Sequence, residues 1–288
     1  MKQLLILSGK GGTGKTTVAG AFIKLANARA YADCDVDAPN LHLINNDLPL
    51  VRKEDYFGLP KAEIDIKKCI GCDLCFQHCR FDAITVNQGI YEVDKYACEG
   101  CGVCEALCPQ KAISLISVVD GELRVYSDEN KAFSTAQLQM GSGTSGMLVT
   151  QVKKNLVNEK NDTDLAIIDG SPGIGCPVIA SISGVDLILI VAEPSISGMS
   201  DMKRIIKTAK KFQTRVVVCI NKYDTNTVIT SNIESYCEDN EIPFAGLIPF
   251  DDNAVKAINR GMTIVDIECS SGNAVRSVYD NTLKILMT

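Results

Sequence analysis

Positive charge is in short supply in this 288-residue chain: 29 Lys and Arg face 35 Asp and Glu, a net charge of −6 with both histidines neutral. A field of that sign repels phosphate backbones and anionic lipid alike, so general nucleic-acid binding and stable membrane association are excluded. Long apolar runs are missing too. The strongest, residues 187–192, falls far short of the roughly 18 residues of a membrane span. The start of the chain has one Lys and a brief apolar run that meets a Gly-rich loop at once, so a signal-peptide core is lacking and a cytoplasmic protein is expected. Tryptophan is absent and aromatic residues are 6%. What remains is a soluble globular composition, 46% hydrophobic and 22% charged, neither disordered nor collagen-like. Its length suits one large α/β domain or two modest ones.

Cysteine is abundant by contrast. Thirteen occur, eight of them between residues 69 and 108. Without a secretory signal the thiols stay reduced, and clustered thiols then point to metal rather than disulfides.

Apolar runs without alternation at residues 3–7, 30–34, 165–168, 187–191, 216–220 and 244–248 read as strands of a parallel sheet covered on both faces. Helical periodicity falls between them, over 16–28, 151–160, 199–212, 228–239, 252–260 and 272–286. This alternation predicts an α/β fold, a doubly wound and mostly parallel sheet with ligands at the carboxyl ends of its strands. Residues 60–118 break the pattern and carry an internal repeat. Cys69, Cys72, Cys75, Cys79, Ala83 and Ile84 recur 29 residues later as Cys98, Cys101, Cys104, Cys108, Ala112 and Ile113. The expected organisation is one α/β domain of residues 1–59 and 119–288, with a small α+β module inserted at 60–118. The Gly-rich run 141–146 reads as a flexible or ligand-contacting loop.

Gly9-Lys10-Gly11-Gly12-Thr13-Gly14-Lys15-Thr16 matches G-x-x-x-x-G-K-[ST] between a strand and a helix. Glycines let backbone N–H groups turn toward phosphate oxygens, and the helix N-terminus adds positive partial charge. Lys15 would bridge the β and γ phosphates while Thr16 holds Mg²⁺. In Ala166-Ile-Ile-Asp169-Gly-Ser-Pro-Gly173, an apolar run delivers Asp169 to the Mg²⁺ ion, and Gly173 is placed to sense the γ-phosphate.

The run Lys10 to Thr17 resembles the deviant P-loop of the MinD, ParA, Mrp and nitrogenase-reductase superfamily of dimeric ATPases. The resemblance implies a P-loop fold, ATP as ligand, dimerisation on ATP binding, and a reach of Lys10 to phosphates held by the partner subunit. Asp33-Cys-Asp35-Val-Asp37 lies where that family has switch I, which makes Asp35 the candidate for orienting the attacking water and a Mg²⁺ neighbour, with Asp37 second. The stretch around Asp169 resembles Walker B and switch II. Asn221-Lys222-Tyr-Asp224 resembles the guanine-reading N-K-x-D motif, yet in MinD-like ATPases an Asn at this strand end faces adenine. Asn221, Pro249 and Asp251 are therefore expected near an adenine base.

Cys69-x₂-Cys72-x₂-Cys75-x₃-Cys79 and Cys98-x₂-Cys101-x₂-Cys104-x₃-Cys108-Pro109 match the bacterial ferredoxin run. Zinc sites of four Cys usually carry longer gaps between pairs. Resemblance to two-cluster ferredoxins implies one [4Fe-4S] cluster on Cys69, Cys72, Cys75 and Cys108, and a second on Cys98, Cys101, Cys104 and Cys79. Arg80 stands where a Pro is usual, and a cation there would make the clusters unequal. His78 reads as a surface residue. Cys34, Cys219, Cys237 and Cys269 read as packing residues. Cys176 falls where nitrogenase reductase has a cysteine for a cluster shared between subunits, but the second cysteine of that family has no counterpart here, and a buried, inert thiol is the competing expectation.

These parts imply a Mg-ATP-dependent dimeric switch that transfers electrons through two [4Fe-4S] clusters to an unidentified redox or iron-sulfur client. The alternatives are an iron-sulfur assembly carrier, or a spatial organiser like MinD or ParA. The last would need an anchor, and the helix 272–286 has too few cations to be one.

Overall fold

The computed structural model describes residues 1–43, 48–160 and 162–288. The chain divides into two compact units: residues 1–53, 123–137 and 145–288, and residues 54–122 with 138–144. The expected insertion over 60–118 lies within the second.

Unit 1 is built on parallel strands whose apolar runs are buried on both faces. β1 (Lys2–Leu7) has β10 (Leu165–Asp169) on one side and β11 (Leu187–Ala192) on the other. Outward from β10 come β2 (Ala30–Asp33) and β9 (Ala132–Leu138), and outward from β11 come β12 (Arg215–Asn221) and β13 (Phe244–Ile248). At the far edge the order continues through β8 (Val119–Ser127) to β3 (Leu50–Phe57); of these, unit 1 takes residues 123–127 and 50–53. Because β1, β2, β10, β11, β12 and β13 run parallel, their carboxyl ends share one edge, and the phosphate loop, Asp33, Asp169, Asn221 and Ile248 come to that edge together.

The central strands exclude water completely: Leu4 to Leu7 and Leu187 to Val191 are 0% exposed. α1 (Lys15–Leu25) presses Val18, Ala21 and Phe22 onto them. α6 (Ile196–Lys211) buries Met202, Ile205, Ile206 and Ala209, opens on Ser195, whose hydroxyl accepts from Gly198 N, and closes on Lys210 and Lys211, which suit the negative end of its dipole. α9 (Ser270–Met287) covers the sheet with Val275, Val278 and Leu286 rather than facing outward with them. Among the described residues no helix is long and apolar enough to cross a membrane.

The sequence pattern does not announce β9. It carries Ser134, Thr135 and Gln137, yet it pairs parallel with β2 from Ala30↔Ala132 to Asp33↔Thr135. Burial of Ser134 is offset by its hydroxyl, which donates to Val152 O at 2.8 Å on α4 (Ser145–Glu159). Phe133 stacks between Tyr31 and Tyr126, with ring centroids 5.1 and 5.6 Å away. α4 starts six residues before the expected position, so Gly146 belongs to a helix rather than to a glycine loop.

Unit 2 is small. β4 (Lys61–Ile64) pairs antiparallel with β7 (Ile113–Ile116), and β5 (Ile84–Asn87) with β6 (Ile90–Val93). Two five-residue helices follow the cysteine loops, α2 (Leu74–His78) and α3 (Val103–Leu107). The sequence repeat is a backbone repeat as well. Positive φ occurs at Gly71 and Gly100, at Asp73 and Gly102, and at Asp82 and Lys111, while Asp65 N donates to Ala112 O as Asp94 N does to Ala83 O, both at 2.7 Å. Gly100 is confined twice, since a side chain there would also strike Pro60 O.

Candidate functional site

Between β1 and α1 the chain turns through Gly12 and Gly14, both at positive φ. Gly14 sits against Asn221, so a Cβ would drive into that amide. The loop walls a cleft of about 530 Å³ lined by Ser8, Lys10 to Thr17, Asp35, Asp37, Ala38, Asn40, Ser171 and Pro172, a volume in the range of small-molecule sites. Gly9 lies outside it, against Asp201 of α6.

Beneath the cleft, Asp169 is 0% exposed. Lys15 Nζ donates to its Oδ1 at 2.5 Å and Thr16 Oγ1 to its Oδ2 at 2.7 Å. Lysine, hydroxyl and carboxylate therefore form one cluster, with the acceptor oxygens of Thr16 and Asp169 suited to a hard cation. Gly173 N donates to Ser8 O at 3.0 Å, which ties the loop after β10 to the end of β1.

Asp33, which the sequence pattern ranks below its neighbours, organises the segment that carries Asp35 and Asp37. It is the register partner of Asp169 on the next strand and fully buried. Its Oδ1 accepts from Asp35 N at 3.0 Å, and its Oδ2 from Asn40 N and Leu41 N at 2.9 Å each. Burial pushes its carboxyl up to about 7, with Asp169 adding to the effect. Burial likewise raises Asp35 to about 6, against the opposing charge of Lys15. A carboxyl at the end of a buried strand was the available signal for Asp33.

Two cations of the cleft rim are held by one acid that no sequence motif marks. Lys10 Nζ lies 2.7 Å from Glu193 Oε2 and 3.3 Å from Ser195 Oγ. Lys222 Nζ lies 3.8 Å from Glu193 Oε1 and donates to Gly12 O at 2.9 Å. Glu193 directly follows β11, at the same edge as the other strand-end groups.

The residues expected near a base line a second cavity, which shares Gly12, Gly14 and Thr17 with the cleft and includes Asn221, Pro249, Phe250 and Asp251. Asn221 Nδ2 is engaged by Thr13 O at 2.7 Å, so it supports the phosphate loop. Asp224 accepts from Phe250 N at 2.8 Å. Asp251 caps α8 (Asp252–Ile258) by accepting from Asn253 N and also takes the Ser271 hydroxyl at 2.9 Å; these bonds, the Asn253 N–H first, hold its carboxyl down at about 2.

In unit 2 the eight clustered cysteines line two cavities, four each. Cys69, Cys72, Cys75 and Cys108 line one, among Ile64, Ile70, Tyr91 and Ile113. Cys79, Cys98, Cys101 and Cys104 line the other, among Ala62, Phe81, Val93 and Leu115. Backbone N–H groups already aim at sulfur: Ala112 N donates to Cys108 Sγ at 3.2 Å and Ala62 N to Cys98 Sγ at 3.4 Å. Burial raises the Cys75 and Cys104 thiols, a bias that bound iron would reverse. Among the described residues no three His, Cys, Asp or Glu side chains converge on a single-ion site. Four thiols around each apolar cavity, with amides donating to sulfur, are the donor set that a cubane takes.

Of the other cysteines, Cys34 and Cys219 are buried with thiols pushed up to about 12, Cys237 is buried, and Cys269 caps α9. Cys176 is exposed at the start of α5 (Cys176–Ile182). Arg80 and His78 are exposed.

The CobQ/CobB/MinD/ParA nucleotide binding domain matches residues 4–264. A protein of uncharacterised function from Methanocaldococcus jannaschii is 31% identical over 96% of this chain and 95% of its own length. The solved structure of the septum site-determining protein MinD with Mg-ADP from Pyrococcus horikoshii superposes with a TM-score of 0.58 at 18% identity, covering 99% of this chain and 96% of that one. A 47-residue stretch, 16% of the chain, is 49% identical to 18% of a component of the ion-translocating oxidoreductase complex of Methanosarcina acetivorans.

Proposed function

The chain belongs to the CobQ/CobB/MinD/ParA family of nucleotide-binding domains, and from that premise we propose that it is a Mg-ATP-dependent switch, dimeric when ATP is bound, that couples hydrolysis to one-electron transfer through two [4Fe-4S] clusters to a client protein. The observation that carries the redox half is the division of the cysteines: three from one loop and the last of the other loop line each cavity. Such clusters supply one-electron chemistry without proton or group transfer. The short likeness to an oxidoreductase component points the same way.

For the nucleotide half, the glycine loop and Lys15 bind the phosphates, Thr16 and Asp169 hold Mg²⁺, and Asp35 orients the attacking water. Phosphoryl transfer asks little else of a protein than positioning and charge neutralisation. Lys15, now bonded to Asp169, would turn to phosphate as ATP enters, and a Mg²⁺ ion held by Thr16 and Asp169 would supply positive charge at that carboxylate. Asn221 and Pro249 flank the base. Lys10 completes a second subunit's site.

Anaerobic purification followed by iron, sulfide and zinc analysis tests the reading, with about eight irons and eight sulfides per chain expected for two cubanes. Stoichiometric zinc without visible absorbance would reject the redox half. A cluster-carrier role is favoured by one observation, the exposure of Cys176. Alkylation of Cys176 without nucleotide, and its protection by ATP, would support that role; equal reactivity in both states would reject it.

A further inference from the structure

The internal repeat supplies its own control for what makes two iron-sulfur sites differ. Residues 61–65 and 90–94 occupy equivalent positions, 29 apart, on β4 and β6, and the strands leave by the same hydrogen bond at Asp65 and Asp94. Glu63 matches Glu92, Ile64 matches Val93 and Asp65 matches Asp94. Lys61, however, matches Ile90. Ile90 is 45% exposed, whereas Lys61 is 5% exposed and its Nζ donates to Cys98 O at 2.7 Å. A buried ammonium therefore lies against a cysteine that lines one cavity, and the other cavity has an apolar residue at the equivalent place.

Three other possible sources of inequality are matched between the sites or screened. Each cavity has one amide bonded to a lining sulfur, and each includes one carboxylate in its wall, Asp73 or Glu99. Arg80, the cation that the sequence singles out, is exposed, so water and salt weaken its field. Lys61 has no such screening. A cubane held by four thiolates is an anion, and reduction adds one more negative charge, so a buried cation beside it stabilises the reduced state more than the oxidised one.

We propose that Lys61 is a potential-setting residue: it raises the site of Cys79, Cys98, Cys101 and Cys104 above that of Cys69, Cys72, Cys75 and Cys108, so that a single electron given to the chain settles at the former. This rests on the iron-sulfur reading above. The step is a one-electron exchange in which the lower site is oxidised by one and the upper reduced by one; no bond forms or breaks, and no proton moves.

The test is an anaerobic titration with dithionite, followed by electron paramagnetic resonance, on the wild type and on Lys61→Gln, Lys61→Met, Lys61→Arg and Arg80→Gln. The wild type should reduce in two waves. Lys61→Gln keeps a donor for Cys98 O and loses the charge; it should move the upper wave toward the lower by at least a tenfold change in electron partition, 59 mV for a one-electron couple, while the lower wave stays. Lys61→Met should do the same, Lys61→Arg should keep the wild-type separation, and Arg80→Gln should shift either wave less than Lys61→Gln. An upper wave unmoved in both neutral variants overturns the proposal. So does loss of iron from both with Lys61→Arg intact, which would make Lys61 a structural support. A wild type free of iron and sulfide would instead remove the iron-sulfur reading, and this inference with it.

Discussion

Lys10 Nζ lies 2.7 Å from Glu193 Oε2, and the same carboxylate holds Lys222, which in turn grips the phosphate loop at Gly12 O. The lysine assigned to a partner's phosphates is thus engaged within its own chain. Lys10 and Glu193 are partly exposed, so their pairing is worth only about 0.2–1 kcal/mol, weak enough for a nucleotide phosphate to displace. Glu193→Gln should free Lys10 and tighten the ATP-dependent dimer by up to roughly fivefold for each of its two subunits, whereas Lys10→Ala should bind ATP and stay monomeric. Sedimentation with and without ATP decides. An unchanged dimer affinity in Glu193→Gln would show that the pair does not restrain assembly.

Lys15 and Asp35 should separate binding from turnover. Lys15→Ala removes a cleft cation and leaves Asp169 buried with the Thr16 hydroxyl but without its cationic partner, so nucleotide affinity should be lost. Asp35→Ala leaves the glycine loop and Lys15 intact; binding should survive and hydrolysis fall by about 10²–10⁴-fold, the usual weight of a positioned base. Fluorescent-nucleotide binding beside phosphate release measures both, and normal turnover in Asp35→Ala would remove that residue from the site.

Cys108→Ser should damage the site of Cys69, Cys72 and Cys75, although Cys108 belongs to the other sequence run, because those four thiols line one cavity. Selective loss of the spectrum from the site of Cys98, Cys101 and Cys104 would contradict that pairing.

Much of unit 1 was legible because its strands are continuous apolar runs and its phosphate loop is a motif with a required context. Asp35, Asp37 and Asp169 were visible as acids at strand ends. Asp33 and Glu193 share that position, but nothing in a linear string distinguishes a strand-end acid that organises a loop from one that faces a ligand. β9 was hidden because it buries two hydroxyls, Ser134 and Thr135, and the Ser134 hydroxyl is satisfied only by a carbonyl of α4; Asn221 and Asp251, which line the cavity expected for a base, each also hold protein groups. The cysteine repeat was plain in the sequence. The exchange of Lys61 for Ile90 within it gains meaning only once Lys61 is seen to be buried.

Phe133 offers a check on the unannounced strand. Its ring is stacked between Tyr31 of β2 and Tyr126 of β8 and is 1% exposed. Phe133→Ala removes both stacking partners and leaves a cavity, so a loss of about 3–5 kcal/mol is expected in chemical denaturation. A loss below about 1 kcal/mol would mean that β9 is not part of the cooperative sheet.

Asp33 and Asp35 predict an unusual pH dependence for the nucleotide-free, metal-free protein. Unfolded, each carboxyl titrates near 3.8; folded, Asp33 is raised to about 7 and Asp35 to about 6, burial being the first cause for both. Between those values the native state holds protons that the unfolded state has released. Stability therefore falls as pH rises from about 4 to about 7, the reverse of a salt-bridged carboxylate. Asp33→Asn separates this effect from the rest of the chain. An amide has one acceptor oxygen where the carboxyl offers two to Asp35, Asn40 and Leu41, so the variant should be less stable than wild type at pH 5. It also cannot acquire the buried charge, so its deficit should shrink toward pH 8. Thermal melts across that range measure the difference. If the two profiles run parallel, Asp33 carries the same charge folded and unfolded, and its burial does not set the pH dependence.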